Sequence, residues 1–149
     1  MCEKSIIFAE YLKNRMTSEE KVKYWIDLSD EDFRVAEGLL KLKHFLYVGF
    51  MCHQCIEKIF KAAYEHRIND TPPFVHDLIL IADRAGFFEM FDDEQLTFIE
   101  QLSPLNIRAR YPDYRRELAR EITKKVAENL IIKTKELQKW TKEKLLLIN

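Results

Sequence analysis

The chain has 149 residues, of which 47% are apolar and 33% are charged, and its formal net charge is −1 at pH 7. This length predicts one domain with a core large enough to fold without disulfides or metal. The near-zero charge argues against a protein that coats duplex nucleic acid non-specifically, but it leaves a local basic patch open. With only 3 glycines and 4 prolines, the chain has few turn residues, which disfavours an all-β protein and favours long helices.

The cysteine count and the apolar runs bear on where the protein works. There are three cysteines, at positions 2, 52 and 55, and no secretory segment precedes them. An odd number of cysteines without such a segment predicts a reduced, cytoplasmic protein. No apolar run approaches the ~20 residues of a membrane span, so we expect no membrane association.

Helical periodicity in the first half of the chain begins after an N-terminal extension at 1–17. Residues 18–26 begin with Ser18 and two acids, which predicts a short helix. A second helix is predicted over 29–43, where Ser29 and three following acids are typical of a helix start. The predicted helix richest in candidate residues covers 44–66, and its first half (HFLYVGFM) is apolar around most of its circumference. Such a helix is buried on all sides, either inside a bundle or against a second subunit.

The second half continues the pattern with shorter connections. The paired prolines of 68–74 predict a turn. Helices are predicted over 75–85, ending before Gly86, and over 92–104. Pro112 makes 106–114 irregular, and one long helix is expected to run from Asp113 towards 147. The sequence therefore predicts an all-α fold, an up-and-down bundle of four to five helices formed by a single domain at 18–149.

Cys52 and Cys55 stand three residues apart, a spacing found in redox and zinc sites. On a helix, however, they share a face with the apolar residues Val48, Ile56 and Ile59. A redox pair needs a helix N-terminus, and a structural zinc needs two more ligands at motif spacing. We therefore predict two buried, unreactive thiols and no metal or cofactor site.

The same helix carries a second, polar stripe. His53, Gln54, Glu57, Lys58 and Lys61 fall within an arc of about 140°, which we call the polar arc. It is either a solvated face with a Glu57–Lys61 pair at i,i+4, or the wall of a groove.

Two further polar stretches could share such a groove. His76 and Asp77 follow the proline turn, where His76 could instead cap a helix or pair with Asp77. The other stretch contains four arginines in nine residues, whose guanidinium groups suit either phosphate or neighbouring carboxylates. These arginines are Arg108, Arg110, Arg115 and Arg116.

Four motifs, in this order, resemble the HEPN domain family (higher eukaryotes and prokaryotes nucleotide-binding). They are Asp32 and Ala36 in an early helix, HQCIEKIFKA at 53–62, PPFVHDL at 72–78 and RYPD at 110–113. The resemblance covers roughly 20–135, and Cys55 stands where the family usually has alanine. It implies a helical bundle that is usually a homodimer and often accompanies a minimal nucleotidyltransferase, frequently as a toxin–antitoxin pair.

Some branches of that family are metal-independent ribonucleases with an arginine followed, after four to six residues, by histidine. This chain has no histidine after His76, so the resemblance implies a module without catalytic residues that binds a nucleotide, RNA or a nucleotidyltransferase partner. Two alternatives stay open: a diverged ribonuclease using Arg108 or Arg110 with His53 or His76, and a purely structural dimeric scaffold. The candidate ligand-binding residues are His53, Gln54, Glu57, Lys58, Lys61, His76, Arg108, Arg110 and Tyr111.

Overall fold

The computed structural model describes residues 3–108 and 111–147, and within these ranges it is all-helical, as predicted. The elements are eight α-helices and one short 3-10 helix. Their bounds are α1 Glu3–Arg15, α2 Ser18–Lys41, α3 Phe45–Ile68, α4 Leu78–Arg84, the 3-10 helix Phe88–Met90, α5 Asp93–Leu102, α6 Leu105–Arg108, α7 Pro112–Glu121 and α8 Lys124–Lys144. Helix α3 is central, since it packs on α2, α8 and the shorter helices α4 to α7. No described helix is long and apolar enough to cross a membrane.

The two helices predicted over 18–26 and 29–43 form one continuous helix, α2. It begins with a capping box, in which Thr17 accepts from the Glu20 backbone N–H and Glu20 accepts from that of Thr17. Ser29 is fully buried inside this helix and donates to the carbonyl of Cys55 on α3 at 2.8 Å. The serine that resembled a helix start is therefore a contact between helices, and the prediction of a break before it was wrong.

The long helix predicted from Asp113 is instead two helices, α7 and α8. Proline occupies the first turn of α7, where its missing N–H costs nothing. The break falls at Ile122 and Thr123, because Thr123 accepts from the backbone N–H of Val126 and so begins a new helix. Ile122 is buried at this break, where its Cδ1 would lie 3.2 Å from a Cβ on Gly49. A glycine at position 49 thus lets the break pack closely against α3. A short helix, α6, also occupies part of the segment predicted to be irregular.

The turn after α3 and the start of α4 position His76. Helix α3 ends at Ile68, and the next residue, Asn69, caps it in the left-handed conformation with φ 58°. Helix α4 begins later than predicted, at Leu78, because Asp77 caps it by accepting from the backbone N–H of Leu80 at 3.0 Å. His76 therefore lies just before α4, in a segment that reaches Glu57 on α3.

Candidate functional site

The cysteine pair lies in the core, as its helical face predicted. Cys52 and Cys55 are fully buried, and the sulfur of Cys55 lies 3.4 Å from the Ser29 hydroxyl oxygen. Burial raises the pKa of Cys52 to about 12 and also raises the pKa of Cys55. Both side chains thus remain thiols, which are poor nucleophiles and poor metal ligands. Residues 3–108 and 111–147 contain no group of three His, Cys, Asp or Glu side chains suited to a metal ion.

Half of the polar arc is buried around Glu57, whose side chain is 2% exposed. Its Oε2 lies 3.2 Å from Lys61 Nζ, the i,i+4 pair that the spacing predicted. Its Oε1 lies 2.8 Å from His76 Nδ1 and 3.9 Å from His53 Nδ1. The ammonium of Lys61 also lies 5.5 Å from the ring centre of Trp25 on α2, within range of a cation–π contact. His53, Glu57 and Lys61 are therefore interior groups and do not form a solvated face.

Burial and mutual attraction compete in this cluster. Burial alone would raise the pKa of Glu57, but the electrostatic attraction of the neighbouring Lys61, His76 and Lys58 side chains holds it below its usual value. For Lys61, burial lowers the pKa and the attraction of Glu57 only partly offsets this. Removing either partner would leave a buried charge without compensation, which is costly inside a protein.

His53 differs from its neighbours because neither ring nitrogen makes a well-formed hydrogen bond among the described residues. The side chain is 1% exposed, and burial lowers its pKa to about 4. His53 is therefore a neutral imidazole near pH 7 and has no direct access to solvent.

The other half of the polar arc is accessible and joins three helices. Lys58 Nζ lies 3.2 Å from Asp32 Oδ2 on α2 and 2.9 Å from the side-chain oxygen of Gln54. The Gln54 amide donates in turn to Asn106 Oδ1 on α6 at 2.8 Å. Asp32 is partly buried, and this burial raises its pKa against the opposing effect of Lys58. This chain of contacts brings the polar arc against the segment that leads into the arginine cluster.

The arginine cluster is described only in part. Arg110 lies outside the described residues, as does the side chain of Arg108. Tyr111 is 55% exposed, directly before α7. Arg115 places its guanidinium 5.4 Å from the ring centre of Tyr47 on α3 and donates a hydrogen bond to that hydroxyl. Side-chain hydrogen bonds therefore join the α6–α7 segment to α3 at Gln54 and at Tyr47.

Sequence reasoning did not select Asp32 and Asn106 as site residues, although both bond to the polar arc. Asp32 stands in the first matched motif, and Asn106 lies four residues before the RYPD motif. Motif membership was the available signal for Asp32, and proximity to a motif was the signal for Asn106. Periodicity could not have supplied it, because each residue lies on a different helix from its partner.

The comparisons with known proteins agree with this architecture. A crystal structure of TT1696 from Thermus thermophilus superposes with a TM-score of 0.71 at 20% sequence identity. The alignment covers 84% of this chain and 98% of that one, and at this identity it shows a shared fold. A search of curated proteins found no significant match. The model of the HEPN domain matches residues 22–145, which include the polar arc, His76 and the arginine cluster. The chain therefore belongs to the HEPN domain family.

Proposed function

We propose that this protein is a HEPN module that binds a nucleotide or RNA without catalysing a reaction on it. The observation that carries the proposal is the 2.8 Å hydrogen bond from Gln54 to Asn106. This bond joins the accessible half of the polar arc to α6, and Arg108, Arg110 and Tyr111 follow Asn106 within five residues of the sequence. Cations on two neighbouring elements form a suitable surface for phosphate.

The proposed roles follow from accessibility. Gln54, Lys58, His76 and Tyr111 are exposed or partly exposed, so they are the proposed direct contacts on the described part of the chain. Arg108 and Arg110 are proposed to contact phosphate on the basis of the sequence. The three buried candidates are proposed to support the site from within, because His53, Glu57 and Lys61 lie behind the surface.

The arrangement favours binding over catalysis. General acid–base chemistry needs a group that can reach the reacting atoms. His53 is 1% exposed, and no histidine follows His76 in the sequence. Of the histidines proposed for a diverged ribonuclease, only His76 is accessible to a substrate.

We propose a homodimer formed through the apolar first half of α3. Several apolar side chains at this end of the α2–α3 hairpin remain accessible, including Leu42 at 68% and Tyr47 at 38%. Phe45, Leu46 and Met51 are half-buried there. A minimal nucleotidyltransferase, as in a toxin–antitoxin-like pair, is the proposed further partner on the strength of the family. Light scattering of the purified protein tests the dimer, and Leu46→Glu should convert it to a monomer.

The binding proposal is tested by amide NMR titration with ATP, GTP and a short RNA. We expect amide chemical-shift changes at 53–61, around His76 and over 106–116. We expect Arg110→Ala to lower the affinity for the ligand at least tenfold. Arg84→Ala removes an exposed arginine from α4 and serves as the matched control. No shifts at millimolar ligand, together with an Arg110→Ala variant that is less stable, would favour a structural scaffold. RNA cleavage without metal that Arg110→Ala abolishes would instead establish the ribonuclease alternative.

A further inference from the structure

We propose that α1 pairs antiparallel with α1 of a second copy of the chain, through a row of exposed side chains formed by Glu3, Ile7, Tyr11 and Arg15. We call these four residues the α1 row. The inference goes beyond the proposed function, because α1 lies before the residues 22–145 that the family model matches. It also uses a different surface from the dimer proposed through α3.

Helix α1 exposes an unusual amount of apolar surface for its length. Ile6, Ile7, Phe8 and Tyr11 are each 44–59% exposed on a helix of 13 residues. Phe8 contacts the ring of Tyr24 on α2, with the ring centres 6.5 Å apart, so α1 lies along α2. Single exposed apolar side chains are ordinary, but several on one short helix form the kind of patch that marks an interaction surface.

The α1 row follows from helix geometry. Each fourth residue of an α-helix lies about 40° round from the last, so residues four apart form a continuous row along the surface. Glu3, Ile7, Tyr11 and Arg15 form such a row over about 18 Å, and all four are exposed. The guanidinium carbon of Arg15 lies 5.7 Å from the ring centre of Tyr11, within range of a cation–π contact. The row therefore begins with an acid, continues with two apolar groups and ends with a base.

This order is complementary to itself when it is reversed. A two-fold axis between antiparallel copies places Glu3 opposite Arg15 of the second copy and Ile7 opposite Tyr11 of the second copy. Each of these contacts occurs twice, as the symmetry requires. A parallel pair would instead set Glu3 against Glu3 and Arg15 against Arg15, and like charges in contact oppose association. The charges thus select the antiparallel arrangement.

The same charges favour a second copy over an anionic partner. Lys4 and Arg15 would attract a membrane or a nucleic acid, but Glu3 and Glu10 are exposed on the same helix and would repel it. A surface that carries both signs suits a partner that also carries both signs in the reverse order. A second copy of α1 meets this requirement.

The contact between two single helices is small. It lies at the low end of interface sizes, so we expect weak association that needs concentrated protein. In dilute solution α1 stays unpaired, and the light-scattering test of the α3 dimer is unaffected. In concentrated solution pairing through α1 would join the proposed α3 dimers to one another.

Sedimentation velocity from micromolar to millimolar protein tests the pairing. The mean mass of the wild type should rise with concentration. Glu3→Arg and Arg15→Glu should each weaken this association about tenfold, because each sets like charges against one another at both ends. An equal mixture of the two variants should restore it, since the reversed charges then face opposite charges. Each reversal also opposes the helix dipole, but mixing cannot repair a frayed helix, so the mixture separates pairing from helix stability.

A substitution in the apolar part of the row and two matched controls complete the test. Ile7→Asp should abolish the rise in mass. Ile132→Asp on α8 and Glu100→Arg on α5 change exposed residues elsewhere and should behave as wild type.

Three results would overturn the inference. They are a wild type that does not associate at millimolar concentration, an association that the α1 variants leave unchanged, and a mixture that stays as weak as its two components. Binding of the wild type to phosphatidylglycerol vesicles that Ile7→Asp abolishes, without self-association, would also overturn it and assign the α1 row to a membrane surface.

Discussion

Replacing His53 should change how the stability of the protein depends on pH. The imidazole is 1% exposed, and burial holds its pKa at about 4 in the folded protein, against 6.5 for a free side chain. Between these two values the unfolded chain binds the proton and the folded chain does not. The contribution of His53 to stability is therefore fully present above pH 6.5 and is lost as the pH falls towards 4.

The size of this effect follows from the two pKa values. At about 1.4 kcal/mol per pH unit, the difference corresponds to roughly 3 kcal/mol of unfolding free energy lost between pH 7 and pH 4. Glu57 acts in the same direction at the acid end, because its lowered pKa also makes protonation destabilising. The difference in unfolding free energy between wild type and a His53 variant isolates the contribution of the histidine, because Glu57 is present in both proteins.

Urea denaturation of wild type and His53→Leu at several pH values between 7 and 4 measures this difference. At pH 7 we expect His53→Leu to be as stable as wild type or more so, since it removes buried polar atoms that lack hydrogen bonds. At pH 4.5 the variant should be more stable by about 2 kcal/mol. His44→Gln, which replaces an exposed imidazole, is the control. Parallel pH profiles for wild type and His53→Leu would refute the reasoning.

Three further predictions address buried side chains and a helix cap. Lys61→Met should destabilise the protein by about 3–5 kcal/mol in thermal denaturation, because it leaves the Glu57 carboxylate buried beside one remaining partner. Adding Glu57→Gln to this variant should recover much of the lost stability. In a Cys2→Ser background, a thiol reagent should label the native protein at a rate set by unfolding, since Cys52 and Cys55 are fully buried. Fast labelling would contradict the burial of these two thiols. Thr123→Ala should lower the unfolding free energy by about 1 kcal/mol, because it removes the cap of α8, and Thr123→Ser should lower it less. Equal losses of stability would show that the hydroxyl is not the stabilising group.

The helical class, the buried stripe of α3 and the turn at the paired prolines could be read from the residues alone. These features depend on local physics: the 3.6-residue period places Val48, Cys52 and Ile59 on one face, and proline forbids a helix interior. The order of motifs was also sufficient to indicate the family that the domain match confirms. Helix boundaries were less accurate, because a serine at position 29 has the same local preferences whether it caps a helix or bonds across to α3.

Which face of the polar arc meets solvent could be settled only by the packing of distant segments. Periodicity groups His53, Glu57 and Lys61 on one side of α3, but it carries no information about what lies against that side. The segment through His76 covers Glu57 at 2.8 Å from 19 residues along the chain, and Asn106 reaches Gln54 from 52 residues away. Such contacts depend on the directions that the turns impose on whole helices. Tertiary packing therefore buries one half of the arc as a charged cluster and leaves the other half accessible beside Asn106 on α6.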